Sequence, residues 1–334
     1  MTIAPQHPVH HVEIRHNTVP HTQAPHTQAP HTQAPHTQAP HTPTRHTPAP
    51  HPTSADPDTV LRLAYREAGD PAAPPLLLLH ALGESSLSWD PLLDDLAALG
   101  HRVLAPDARG HGDSGRPGQY SYELMTADTL AFCAALGLHS APDPDSTPDP
   151  DFTPGLSSTP GPDLARWPVP GPASAPGGLA VVGHSMGAVT ASLVTAAMER
   201  ATSPVAGTIP GPSGAPARVT RLVLEDATVP RPGGARFEPF DEPGHPVPFD
   251  WPLVNALRAQ RSDPDPAWWA DALRIQAPVL VVAGGPDSSV DQTDLVRFAD
   301  EVADGRLAEI RVGHMVHDEA PEEFLAVVGE FLRP

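Results

Sequence analysis

Lysine is absent from this 334-residue chain, so all 20 basic residues are arginine, against 40 acidic residues and a formal net charge of −20. The absence removes the amine that a Schiff base to pyridoxal phosphate or to a carbonyl substrate would need, and with it the lysine of a phosphate-binding P-loop. No arginine cluster offsets the acidic balance, which disfavours nucleic acid and anionic membranes as partners. Cys133 is the only cysteine, so no intramolecular disulfide can form, which fits a reducing compartment. No stretch approaches the roughly 18 consecutive apolar residues of a membrane span, and no basic segment leads into an apolar one at the amino end. The expectation is a cytoplasmic protein.

Proline, by contrast, is abundant, with 46 residues. They concentrate in the first 57 residues, in 141–176 and in 204–216, where apolar periodicity is missing and no core can form. Residues 1–57 are therefore expected to be a disordered tail and 58–334 one domain, interrupted by a disordered insertion at 139–177 and a short loop insertion at 203–217. Inside the tail, His21-Thr22-Gln23-Ala24-Pro25 repeats as a pentapeptide through Pro40. Proline every five residues forbids a continuous helix, and in a polyproline-like chain successive histidines point about 240° apart. A preorganised metal site is not expected there, although the histidines leave weak, multivalent metal binding open.

The remaining chain alternates strand-like and helix-like segments. Thr59 to Glu67 alternates as a strand, and Leu76 to His80 is a continuous apolar run suited to a strand buried on both faces. Trp89 to Leu99 reads as a helix, His101 to Ala105 as a strand, and Val219 to Leu224 as another. Leu124, Met125, Phe132 and Leu136 mark a further helix, and Phe324, Val327, Val328, Phe331 and Leu332 have the spacing of a closing amphipathic one. The alternation predicts an α/β fold with a mostly parallel sheet covered by helices on both faces.

Gly183-His184-Ser185-Met186-Gly187 carries the strongest chemical signal. It follows the apolar run Leu179 to Val182 and precedes a helix-like run from Ala188, so a serine is held at a sharp strand-to-helix turn between two glycines. Ser185 is thus a candidate nucleophile. A serine hydroxyl needs a base within reach and a third group to orient that base.

These residues resemble the α/β-hydrolase superfamily, in its serine-nucleophile, esterase- and lipase-like branch, and the resemblance continues along the chain. Leu76 to Leu79 with His80-Ala81-Leu82-Gly83 is similar to the family's oxyanion strand and loop. Asp107 to Ser114 is similar to its next strand end, Val279 to Asp287 to the strand and turn carrying its acid, and Gly313-His314 to its histidine loop. The resemblance implies His314 as the base, with His317 as competitor, and Asp287 as the preferred orienting acid, with Asp226 as the alternative and Asp291 a lesser one. It implies an oxyanion hole from the amides of Met186 and Leu82, although Ala81 stands where much of the family has glycine. His184 is expected to be a structural neighbour of the serine, and Asp107 to Ser114 a supporting loop with Arg109 and Asp107 as polar ties.

Aromatic residues are few, yet Phe237, Phe240, Phe249, Trp251, Trp268 and Trp269 fall within 229–275, where the family carries a cap. The resemblance implies an apolar or aromatic-tolerant acyl pocket beneath it. No dinucleotide fingerprint and no zinc-like ligand spacing occur, so no cofactor and no metal are implied. The functional expectation is a cofactor-independent serine hydrolase that cleaves an ester or related acyl bond of a small molecule through an acyl-enzyme. The alternatives are a catalytically inactive ligand-binding or interaction module on the same fold, or an acyltransferase, carbon–carbon hydrolase or perhydrolase using the same triad. Serine in place of aspartate at the turn argues against the epoxide hydrolase and dehalogenase branches, which use a carboxylate nucleophile.

Overall fold

A computed structural model describes residues 5–15, 60–138, 178–202, 218–233 and 237–333. The pentapeptide repeat, for which the sequence leaves weak metal binding open, and the insertions 139–177 and 203–217 lie outside the described residues. Eight strands form one sheet: β1 (His10–Arg15), β2 (Val60–Ala68), β3 (Pro75–Leu79), β4 (Arg102–Pro106), β5 (Leu179–His184), β6 (Val219–Glu225), β7 (Val279–Ala283) and β8 (Gly305–Glu309). Their order is β1-β2-β4-β3-β5-β6-β7-β8. Pairing is antiparallel for β1–β2 and β2–β4 and parallel from β4 to β8.

The leucine and valine runs alternate between two cores, as the two-residue period of a strand requires. Leu77, Leu79, Val181, Leu222, Leu224 and Val281 face one side, and Leu76, Leu78, Val182, Val223, Leu280 and Val282 face the other. On the first side lie α2 (Tyr122–Ala135), α3 (Met186–Thr202) and α6 (Gln292–Glu301); on the second, α1 (Leu93–Ala98) and α8 (Pro321–Leu332). The remaining helices are α4 (Pro252–Ser262), α5 (Pro266–Ala272) and the single turn α7 (Val316–Glu319). The helix expected from Trp89 begins instead at Leu93, after 3-10 turns that include Pro91. A proline there has no N–H to give and suits only the first turn of a helix. No described helix is long and apolar enough to cross a membrane.

α3 is buried along nearly its whole length. Its Thr190, Ser192 and Thr195 hydroxyls donate to the carbonyls four residues back, at 3.1, 2.9 and 2.8 Å, so these three enter the core satisfied. This central helix fixes the start of the serine turn against β3, β5 and β6.

One expectation is corrected at the amino end. Residues 10–15 are not part of a disordered tail: they form the edge strand β1, in register with β2 from His10 opposite Tyr65 to Arg15 opposite Val60. The tail's proline bias hid a short alternation in which Val12 and Ile14 share the inward face, and Ile14 is only 1% exposed. The Gln6 and His7 amides also donate to Asp90, at 2.6 and 3.2 Å. Ile14→Ala is expected to cost about 2–5 kcal/mol in urea unfolding, as for other buried isoleucines. A value near zero would show that β1 contributes nothing to the stability of the sheet.

Candidate functional site

The parallel strands deliver their carboxyl ends to one edge, where an open α/β sheet ordinarily places its ligand site. Ser185 follows β5 with a left-handed φ of 53°, a conformation costly for a residue with a Cβ. The flanking glycines make it possible. A Cβ on Gly183 would lie 2.3 Å from the Gly187 carbonyl oxygen, and one on Gly187 would lie 2.1 Å from that of Leu79. Backbone therefore passes against backbone on both sides of the serine.

His314 lies beyond β8 in a loop where Gly313 has φ 90°. Its Nε2 is 2.9 Å from Ser185 Oγ and its Nδ1 is 2.7 Å from Asp226 Oδ2. With Nδ1–H donating to a carboxylate, Nε2 presents its lone pair to the serine hydroxyl. Asp226 follows β6 and, like Ser185, has a left-handed φ, 44°. Burial would raise the pKa of its carboxyl. Bonds from His314, from the Ser288 hydroxyl, from the Gly284 amide at 2.8 Å and from Gln292 Nε2 at 3.0 Å outweigh burial and hold it below the ordinary carboxylate range.

Asp287 does not occupy the orienting position expected for it. Its side chain is exposed on the turn after β7, while the adjoining segment contributes Ser288 to Asp226. Asp291 caps α6 by accepting from the Thr293 amide at 2.9 Å. Ser288 and Gln292 escaped the sequence reading because neither belongs to a local motif; only the fold brings them to Asp226.

The two amides expected to bind an oxyanion lie on the turns flanking the serine. Met186 is the first residue of α3, so its N–H has no acceptor within the helix. Ala81 to Glu84 form a tight turn closed by the Glu84 amide on the Ala81 carbonyl at 3.2 Å, with Gly83 at φ 85° and Leu82 at the apex. The Ala81 amide is already bound, at 3.1 Å, to Glu84 Oε2. His80 supports the turn from below: its Nε2 accepts from the Ala108 amide at 2.9 Å, so its Nδ1–H donates to the Ala81 carbonyl at 2.8 Å. Burial lowers its pKa, which keeps that neutral form.

A second polar cluster lies directly behind the histidine loop. His184 Nε2 donates to the His314 carbonyl at 2.9 Å, and its Nδ1 is 3.5 Å from Glu84 Oε2. Burial would lower the His184 pKa, but the charges of Glu225 and Glu84, the Glu84 contact and the His314 carbonyl raise it to about 9. His317, the competitor for the role of base, does not reach Ser185's partner position. It is buried, its Nδ1 lies 2.9 Å from both oxygens of Glu225, and its ring stacks on Trp89 at 4.0 Å.

The loop after β4 has the supporting geometry expected of it. Asp107 accepts from the Ser86 and Asp113 amides at 2.6 and 2.8 Å, and Arg109 forms a two-point ion pair with Asp128. A cavity of ≈ 20 Å³ beside this pair has room for about one water and includes neither Ser185 nor His314. The segment 229–275 contributes α4 and α5 and docks onto the loop through the Asp250 amide on the Gly110 carbonyl, at 2.7 Å, and through Tyr120 on Asp250. Phe249 covers the Ala81–Glu84 turn, since a Cβ on Gly83 would lie 3.2 Å from its ring.

Because the Asp226 carboxyl is lowered in the folded protein, its ionisation stabilises the fold fully above its unfolded value, near 3.8, and progressively less as pH falls through its folded value. The Tm difference between the parent and Asp226→Asn should therefore be constant above about pH 5 and shrink below pH 4. A difference that holds unchanged down to pH 2.5 would show that the carboxylate charge is not what the four donors stabilise.

Comparison with known proteins agrees with this architecture. Epoxide hydrolase A of Mycobacterium tuberculosis is 39% identical over 84 residues, 24% of this chain and 26% of that protein. An sn-1-specific diacylglycerol lipase of Mus musculus is 38% identical over 71 residues, 21% and 23% of the two chains. The matches thus span about a quarter of these curated relatives' length. Among solved structures, the enol-lactonase of Burkholderia xenovorans superposes with TM-score 0.57 at 20% identity, covering 82% of this chain and 97% of that one. A hydrolase from Pseudomonas aeruginosa gives 0.55 at 22%, covering 82% and 95%. Residues 76–327 match the alpha/beta hydrolase family as a whole, and the chain belongs to that family.

Proposed function

We propose that this protein is a cofactor-independent serine hydrolase that cleaves a carboxylic ester or related acyl bond. The observation that carries the reading is the unbroken chain from Ser185 Oγ through both nitrogens of His314 to the buried Asp226 carboxylate. In this reading the Ser185 oxygen attacks the acyl carbon as its proton passes to His314 Nε2. Asp226 holds the imidazole in the correct tautomer and stabilises the imidazolium. The amides of Met186 and Leu82 receive the developing oxyanion, a contribution of several kcal/mol in such sites. His314 then protonates the leaving alcohol, and water repeats the sequence on the acyl-enzyme to release acid and free serine.

The epoxide hydrolases among the relatives supply a competing chemistry. Serine at position 185 favours acyl transfer over epoxide opening, because a carboxylate nucleophile is missing from the turn. Phe249 over the oxyanion turn, with Trp251 stacked on it at 6.1 Å, favours an apolar acyl group over a charged one.

The test is hydrolysis of p-nitrophenyl esters from acetate to decanoate. Ser185→Ala and His314→Ala should each lower kcat by roughly 10³-fold or more, and Asp226→Asn by a comparable amount. Asp287→Asn should stay within about two-fold of the parent, as expected for a side chain outside the relay. Release that is equal in Ser185→Ala, with no labelling of folded protein by a fluorophosphonate, would overturn the reading in favour of a binding module.

A further inference from the structure

Sequence spacing gave no metal site in the domain, but the fold assembles a candidate from three distant segments. Glu84 comes from the oxyanion turn, His184 from the end of β5 and His317 from α7, and one donor atom of each lies within 4.8 Å of the other two. His184 and His317 have fully buried side chains, and Glu84 is 16% exposed. His184 Nδ1 and His317 Nε2 are both buried without a hydrogen-bond partner. Unsatisfied buried polar atoms of this kind cost free energy and call for an explanation.

The other nitrogen of each ring is already committed. His184 Nε2–H donates to the His314 carbonyl at 2.9 Å, and His317 Nδ1 is held between the two oxygens of Glu225. Carboxylate or carbonyl on the outer nitrogen, with the inner nitrogen left without a hydrogen-bond partner and facing the cluster, is the arrangement that orients metal-ligating histidines. Two carboxylates, Glu84 and Glu225, face the two rings, so a divalent cation would neutralise the cluster. The 3.5 Å between His184 Nδ1 and Glu84 Oε2 is long for a hydrogen bond and close to the ligand-to-ligand separation of a tetrahedral ion. Closing the triangle to bonds of ~2.0–2.2 Å requires shifts of roughly half an ångström per ligand.

We propose that Glu84, His184 and His317 bind one zinc ion, with Glu225 and the His314 carbonyl as the outer partners that aim the rings and water completing the coordination. The ion ties the oxyanion turn, the serine turn and the histidine loop together from behind, without touching Ser185 or the ring nitrogens of His314. Its role is structural, and the inference stands whether or not the chain hydrolyses esters.

So that zinc held by the histidine-rich repeat cannot be counted, the test uses the full-length chain with His21, His26, His31, His36, His41, His46 and His51 replaced by glutamine. After equilibrium dialysis against zinc chloride, this protein should retain one equivalent of zinc and gain thermal stability. Glu84→Gln in the same background should bind at least roughly ten-fold more weakly and lose the Tm increase. Anomalous diffraction at the zinc edge from crystals of the repeat-substituted protein should place the ion between the three side chains, a readout that does not depend on the variant's folding. Retention of less than one equivalent, equal retention by a folded Glu84→Gln, or anomalous density at another place would each overturn the proposal.

Discussion

Everything at the carboxyl edge of the sheet depends on one close approach of backbone to backbone. Gly187 lies so near the Leu79 and His80 carbonyls, and Gly183 so near Gly187, that no side chain fits at either place. The contact locks the start of α3, with Met186 as its first residue, against the end of β3 and the turn that follows it. It also holds the serine in its left-handed conformation, a strain that persists only because the surroundings over-determine it. A hydroxyl free to relax into an ordinary turn would lose its line to His314 Nε2.

The same logic recurs at Asp226. Its left-handed φ is sustained by a ladder bond from its own amide to the Val282 carbonyl at 2.8 Å and by donors from four residues onto its side chain. β7 contributes through the turn after it, because a Cβ at Gly284 would lie 1.9 Å from the Gly313 carbonyl oxygen. The acid, the turn after β7 and the histidine loop are therefore packed as one unit. The position of His314 is a property of three strand ends together and not of its own loop.

This explains which features were legible in the sequence. β3, β5, β6 and β7 announce themselves because strands buried on both faces are continuous apolar runs, and the serine turn because its glycines are adjacent in sequence. Ser185 and His314 carry local signatures of that kind. The acid does not: Asp226 and Asp287 both follow apolar strands, and the Gly-Gly-Pro turn made Asp287 the more conspicuous. What separates them is how far each chain runs past its strand before it turns. Asp226 is the first residue beyond β6 and points in, whereas Asp287 sits four residues beyond β7, on the exposed outside of its turn. β1 was lost for the opposite reason, since six strand residues were averaged into a proline-rich composition that does not apply to them.

Glu84, His184, Glu225 and His317 were the least legible group, because their meaning lies entirely in tertiary proximity. His184 is the residue before Ser185, Glu225 the residue before Asp226, and His317 follows His314 by three. His184 and Glu225 are thus placed by the same local geometry that places Ser185 and Asp226, but with their side chains directed to the far side of the backbone. Alternation along β5 and β6 sends Ser185 and Asp226 toward the open edge and His184 and Glu225 behind it. The fold consequently builds two polar layers from adjacent residues, one open to solvent and one closed, joined through the His314 carbonyl that accepts from His184. The closed layer thus holds, through one hydrogen bond, the backbone that carries the His314 imidazole.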